Sequence, residues 1–180
     1  MKIRGNKVPE IKTLFETKWL ALKKMILAEW GTEYVYVHSV HSDGEAVAVL
    51  PHRINDGQIE FLLRKEIVPP WSLELSPCSL TGSHEGGELI DTAVREVKEE
   101  SGYTVEPEWL TYHGFVRNSK ASTTKVHIYS VDLTGIEAGK PGGDGSVLEA
   151  MGTYYWTKNP FESEDGILLA MYAHLMRSLQ

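Results

Sequence analysis

Apolar and polar positions alternate through much of the chain, and the runs richest in β-branched and aromatic residues predict strands. EYVYVHSV (33–40), EAVAVLPHR (45–53) and IEFLLRKE (59–66) are three such runs, and Asp56-Gly57 between the last two is a hairpin signal. TVEPEWLTYHGFVRN (104–118) and TKVHIYSVDLTG (124–135) read the same way; in the second, Val126, Ile128 and Ser130 alternate against His127, Tyr129 and Val131. TYYWT (153–157) predicts a last strand. The period changes in LIDTAVREVKEES, where Leu89, Ala93, Val94 and Val97 recur at helical spacing and Gly102 closes the run. EDGILLAMYAHLMRSLQ predicts a terminal amphipathic helix that turns Ile167, Ala170, Met171, His174 and Leu175 inward. TKWLALKKMILAEW fits helix and strand equally by period. After VPPW, SPCSLTGSHEGGE reads as a loop, and KPGGDGSVLE as a long flexible loop with an acidic flank. Strands around one central helix, with a second helix at the end, imply an α/β (α+β) sandwich.

At 180 residues the chain has material for one domain with a real core, plus a small N-terminal extension. A formal charge of -7 argues against a nucleic-acid partner, because neutralising a phosphate backbone needs a basic balance. Cys78 is the only cysteine, so an intramolecular disulfide and a multi-cysteine zinc site are excluded. No apolar run approaches the roughly 20 residues of a membrane span, and MKIRGNKVPEIK offers no signal-peptide core. A cytoplasmic protein with no membrane partner is expected.

The chemistry concentrates in the central helix. Glu96, Glu99 and Glu100 stand at i, i+3 and i+4 and share one face. Arg95 reaches Glu99 at i+4, but one guanidinium does not neutralise three carboxylates. Mg²⁺ prefers oxygen ligands and bridges protein carboxylates to substrate phosphates, so the repulsion becomes a means of holding metal. A solvated acidic face is the plain alternative, and the glycine-rich loop directly ahead of the helix weighs against it. That loop is not a P-loop, because no Lys-Ser/Thr pair follows its glycines.

TGSHEGGELIDTAVREVKEESGY resembles the Nudix box, G-x5-E-x7-R-E-U-x-E-E-x-G-U with U apolar. REVKEESGY matches every specified position once Tyr103 is accepted at the last. Gly82 and Glu88 keep the first spacing, and one residue is missing between Glu88 and Arg95. The resemblance implies a Nudix-type α/β/α sandwich of mixed sheet with a small N-terminal β extension. It also implies that Glu96, Glu99 and Glu100 bind Mg²⁺ or Mn²⁺, that Arg95 orients a neighbouring carboxylate beside Glu99 in the catalytic set, and that Glu88 supports them.

The order of segments over residues 16–175 is similar to that of ADP-ribose and ADP-sugar pyrophosphatases of this superfamily. The likeness tips TKWLALKKMIL toward strand and divides the chain into residues 1–42, a segment for dimerisation and substrate stacking, and residues 43–180, the hydrolase domain. It implies a homodimer, a nucleotide-sugar substrate, base stacking by Trp19 with Tyr34 or Tyr36, and a catalytic Glu149 in KPGGDGSVLE acting on water. Packing is the competing role for Trp19, and surface charge for Glu149. Val68 stands where an arginine often precedes the Pro-Pro pair, which leaves Arg64 and Lys65 as substitutes, and Glu74 keeps its place in an altered turn. A UDP- or GDP-sugar, a dinucleotide or a nucleoside triphosphate stays open as substrate, as does a non-catalytic nucleotide sensor.

Overall fold

The computed structural model describes residues 8–142 and 151–179. Three strands, β1 (Glu10–Glu16), β2 (Leu20–Leu27) and β3 (Thr32–Ser39), form an antiparallel sheet in that order. TKWLALKKMIL therefore resolves as strand, and β1, which the hydrophobic pattern had not marked, pairs with it from Glu10↔Ile26 to Glu16↔Ala21. Only Ala21 is buried across these three strands. Ile11, Phe15, Leu20, Val35 and Val37 are exposed.

The second sheet has seven strands. β4 (Glu45–Asn55) and β5 (Gln58–Ile67) form the expected hairpin, with Asp56 and Gly57 at φ 50° and 74°. Two consecutive left-handed residues match the twist of the flanking strands, which is why Asp-Gly serves there. The main path runs β10 (Thr153–Thr157), β5, β4, β9 (Lys125–Asp132), β8 (Leu110–Val116). β4 and β9 are parallel. Residues 76–88, read as loop, hold two short strands: β6 (Leu75–Cys78) on β5 and β7 (Leu80–Ser83) on β4. Backbone pairing to an existing edge made them strands where the side-chain pattern was silent. The long strand expected over 104–118 begins only at Leu110, because Pro107 opens a 3-10 turn over Pro107–Trp109.

Among the described residues, two α-helices cover the sheet, α1 (Leu89–Ser101) and α2 (Gly166–Ser178). Successive residues of β4 point to opposite faces: Val47 and Val49 join Ala93, Val97 and Tyr129 under α1, while Ala48 and Leu50 join Phe61, Ile128, Leu168, Met171 and Leu175 under α2. A strand buried on both sides carries an unbroken apolar run, as AVAVL does. α2 turns Met171 and Leu175 inward as expected, with Ile167 packed against the same core; Leu168 is buried as well, and His174, expected inward, is exposed. Packing against Phe61 and Ile128 favours the leucine over the imidazole. Among the described residues, no helix is long and apolar enough to cross a membrane.

Candidate active site

α1 lies across β7, and their contact is close because position 82 is glycine. A Cβ on Gly82 would stand 2.0 Å from Cδ and Oε1 of Glu96, so any side chain there would displace the carboxyl group. The Thr81 N–H donates to Oε2 of Glu100 at 3.0 Å. Glu100 also pairs with the Arg64 guanidinium, which reaches over from β5 and stands 3.7 Å from Glu66. Arg95 closes the other side, donating from Nη2 to Glu96 and from Nη1 to Glu99, each at 2.9 Å. Burial raises the Glu100 carboxyl to about 8; Arg64 opposes the rise, and Glu96 and Glu66 add to it.

The three carboxylates line a cleft of about 430 Å³ together with Trp19 and His41. Glu99 is the most open of the three, at 33% side-chain exposure against 10% for Glu96 and 7% for Glu100. Gly102 ends α1 in the left-handed region at φ 77°, and the chain returns to that end later: Gly139 N–H donates to Gly102 O, and Gly142 N–H to Glu99 O at 3.1 Å. The segment leading toward Glu149 is thus strapped to the helix that carries Glu99. Glu149 itself lies outside the described residues.

The other predicted residues divide. Arg64 is expected at the substrate, but at 2% exposure it is buried as the counter-ion of Glu100, which suits it to holding that carboxylate rather than to meeting a ligand. Tyr34 and Tyr36 line a separate hollow of about 490 Å³ beside Arg117 and Lys120, where Tyr34 donates to Lys120 O at 3.0 Å. Glu74 is exposed ahead of β6 and does not line the cleft. Glu88 is the N-cap of α1 without a side-chain cap bond. His84 bonds Thr92 Oγ1 at 2.9 Å, a contact that ties the loop to the helix. Burial pushes the Cys78 thiol up to about 12, so it stays protonated and unreactive at neutral pH.

Two cleft residues escaped the sequence reading, His41 and Glu85, which pair at 2.9 Å. His41 belongs to no motif. Glu85 sits in the glycine-rich loop and carried the only available signal.

The carboxylates of Glu85, Glu96, Glu99 and Glu100 dominate the donors in the cleft lining, which suits a hard divalent ion. Among the described residues, no three carboxylate, imidazole or thiol groups are gathered into a ready-made metal cage. Glu96 and Glu99 converge through Arg95 instead, and both are within reach of the cleft.

No protein-family model and no curated protein matches the sequence. Solved structures do match the fold. An ADP compounds hydrolase superposes with a TM-score of 0.72 at 16% identity, over 98% of this chain and 96% of its own. The Nudix domain of Shewanella oneidensis NrtR, solved with ADP-ribose, superposes with a TM-score of 0.57 at 13% identity, over 76% of this chain and 88% of its own. The chain has the Nudix fold. Within that fold α1 and the preceding loop are the stretch that resembles the Nudix box, and the missing residue falls in the first two turns of the helix. There Glu88 N-caps α1 and Gly82 keeps its contact with Glu96, so the shortening leaves the carboxylate face in register with β7.

Proposed function

We propose that the chain is a Nudix hydrolase that cleaves the diphosphate bond of a nucleoside diphosphate sugar, ADP-ribose or another ADP-sugar, to AMP and a sugar phosphate. The observation that carries this reading is the shared cleft, lined both by Glu96, Glu99 and Glu100 and by Trp19. The carboxylates suit a diphosphate with its cations, and the indole an aromatic base.

Mg²⁺ or Mn²⁺ held by Glu96, Glu99 and Glu100 would neutralise charge on the phosphate oxygens. The chain's own groups do the rest. Arg95 fixes the Glu96 and Glu99 carboxylates toward the cleft, and Arg64 with the Thr81 amide fixes Glu100. Water attacks one phosphorus, a P–O bond to water forms, and the bond to the bridging oxygen breaks. Glu149 takes the proton of that water, a role supported by the hydrogen bonds that bring Gly139 and Gly142 to the end of α1. A homodimer formed through the N-terminal sheet is part of the proposal, supported by the exposed Ile11, Phe15, Val35 and Val37.

Product analysis with ADP-ribose tests the reading. AMP and ribose 5-phosphate are expected in the presence of Mg²⁺ and not in excess chelator. Cleavage of UDP-sugars, dinucleotides or nucleoside triphosphates while ADP-sugars stay intact would overturn the substrate; tight ADP-ribose binding without turnover would overturn the catalysis.

A further inference from the structure

Trp19, His41 and Glu85 form one connected rim on the cleft. Trp19 lies in the β1–β2 connection, where its N–H donates to Thr17 Oγ1 at 3.1 Å. Its carbonyl accepts from the Val40 and His41 N–H groups, at 2.9 and 3.4 Å, so the two backbones are joined before their side chains meet. The His41 ring then stands edge-on to the indole, with centroids 4.6 Å apart and planes at 66°. From its far side, Nε2 of His41 reaches a Glu85 carboxylate oxygen at 2.9 Å. Glu85 belongs to the loop between β7 and α1, so the contact ties the indole to the loop that leads into the carboxylate helix. Trp19 itself is 54% exposed, and the Lys18 ammonium lies over its ring 4.6 Å from the centroid, so a stacking ligand would displace a flexible surface cation.

We propose that His41 is a positioning residue: anchored by Glu85, it holds the Trp19 indole as a platform for the nucleobase. An aromatic side chain that must be ordered on binding weakens affinity, and one already braced does not. Edge-to-face contact is a favoured geometry for two rings. A base-free ligand gains nothing from the arrangement. The inference rests on the hydrolase reading only for what occupies the carboxylate end.

Equilibrium titration of the full chain, with Mg²⁺ present, tests it using AMP and ribose 5-phosphate as probes. In His41→Ala and in Glu85→Gln, AMP affinity is expected to fall about ten-fold while ribose 5-phosphate affinity stays within about two-fold. With ADP-ribose as substrate, KM rises and kcat changes by less than about two-fold, the pattern of lost uniform binding. His41→Tyr, which keeps an aromatic edge, recovers part of the AMP affinity. Glu85 is 61% exposed, so Glu85→Gln keeps the test open if His41→Ala does not fold. Equal losses for the two probes, an unchanged AMP affinity in both variants, or a wild type that does not bind AMP would each overturn the proposal. His41-dependent AMP binding in a chain that hydrolyses no diphosphate would instead overturn the hydrolase reading alone.

Discussion

α1 and α2 have the same length, 13 residues, and pack on opposite faces of one sheet, yet they bury different chemistry. α2 buries Leu168, Met171 and Leu175. α1 buries Ala93 and Val97 together with Thr92, Glu96, Glu100 and Ser101. Burying a carboxylate costs stability unless it is paired and hydrogen-bonded, and α1 meets that cost with Arg64, Arg95 and the Thr81 amide. The apolar helix serves the fold, and the acidic one serves the cleft at some expense to the fold. Functional sites are where such local conflicts concentrate.

Substitution on the acidic helix gives the largest effect. Glu99→Gln keeps shape and removes a charge from the most open of the three carboxylates. Turnover of ADP-ribose is expected to fall by about 10²–10³-fold, the usual cost of losing one preorganised electrostatic contact, with the melting temperature almost unchanged. Steady-state kinetics beside a thermal melt reads both. A variant within three-fold of wild-type turnover would remove Glu99 from the chemistry. The mirror experiment is Leu175→Ala on α2. Deleting a leucine that is 2% exposed costs about 2–5 kcal/mol and lowers the melting temperature steeply. At a temperature well below the melt, kcat is expected to hold within about two-fold, since no residue of α2 lines the cleft. Equal damage to kcat in both variants would dissolve the contrast between the helices.

The same contrast explains what the sequence alone made legible. Helical period marks α1, runs of β-branched and apolar residues buried on both faces mark β4, β5 and β9, and the REVKEESGY pattern marks the acidic face because i, i+3, i+4 spacing is a local property. β1, β6 and β7 escape the pattern: β7 pairs with β4 far back in the chain, whereas β1 and β6 pair with the neighbouring strands β2 and β5 but are exposed or short and show no buried alternation. Arg64 was placed at the substrate on sequence order, and only its burial against Glu100 reveals a counter-ion. His41 had no signal at all. Its place in the cleft comes from a backbone bond to Trp19 across 22 residues of chain, a relation that no window of sequence contains. Tyr34 and Tyr36 fall in a different hollow because β3 turns them toward Arg117 and Lys120, beside the loop that leads into β9.

The smallest expected effect lies under α2, where polar groups do intrude. His52 on β4 is buried, His113 on β8 bonds Ser130 Oγ at 2.8 Å, and the His174 ring on α2 stands 6.4 Å from that of His113. Burial lowers the pKa of His52, with Asp132 opposing; burial first and then His174 and His52 lower that of His113. Both groups therefore bind protons less readily folded than unfolded, where histidine titrates near 6.5. The unfolded chain takes up the extra protons as pH falls below that value, so the stability these residues permit is complete above it and declines toward their folded pKa values. Melting temperature is expected to drop by about 2–4 °C more between pH 7.5 and 5.5 in wild type than in a His52→Gln, His113→Gln double variant. Carboxylates on the cleft side do not imitate this difference, because wild type and variant share them. Identical pH slopes for the two proteins would mean that the histidines under α2 bind protons equally in the folded and unfolded states, and that burial on that face of the sheet does not hold them neutral.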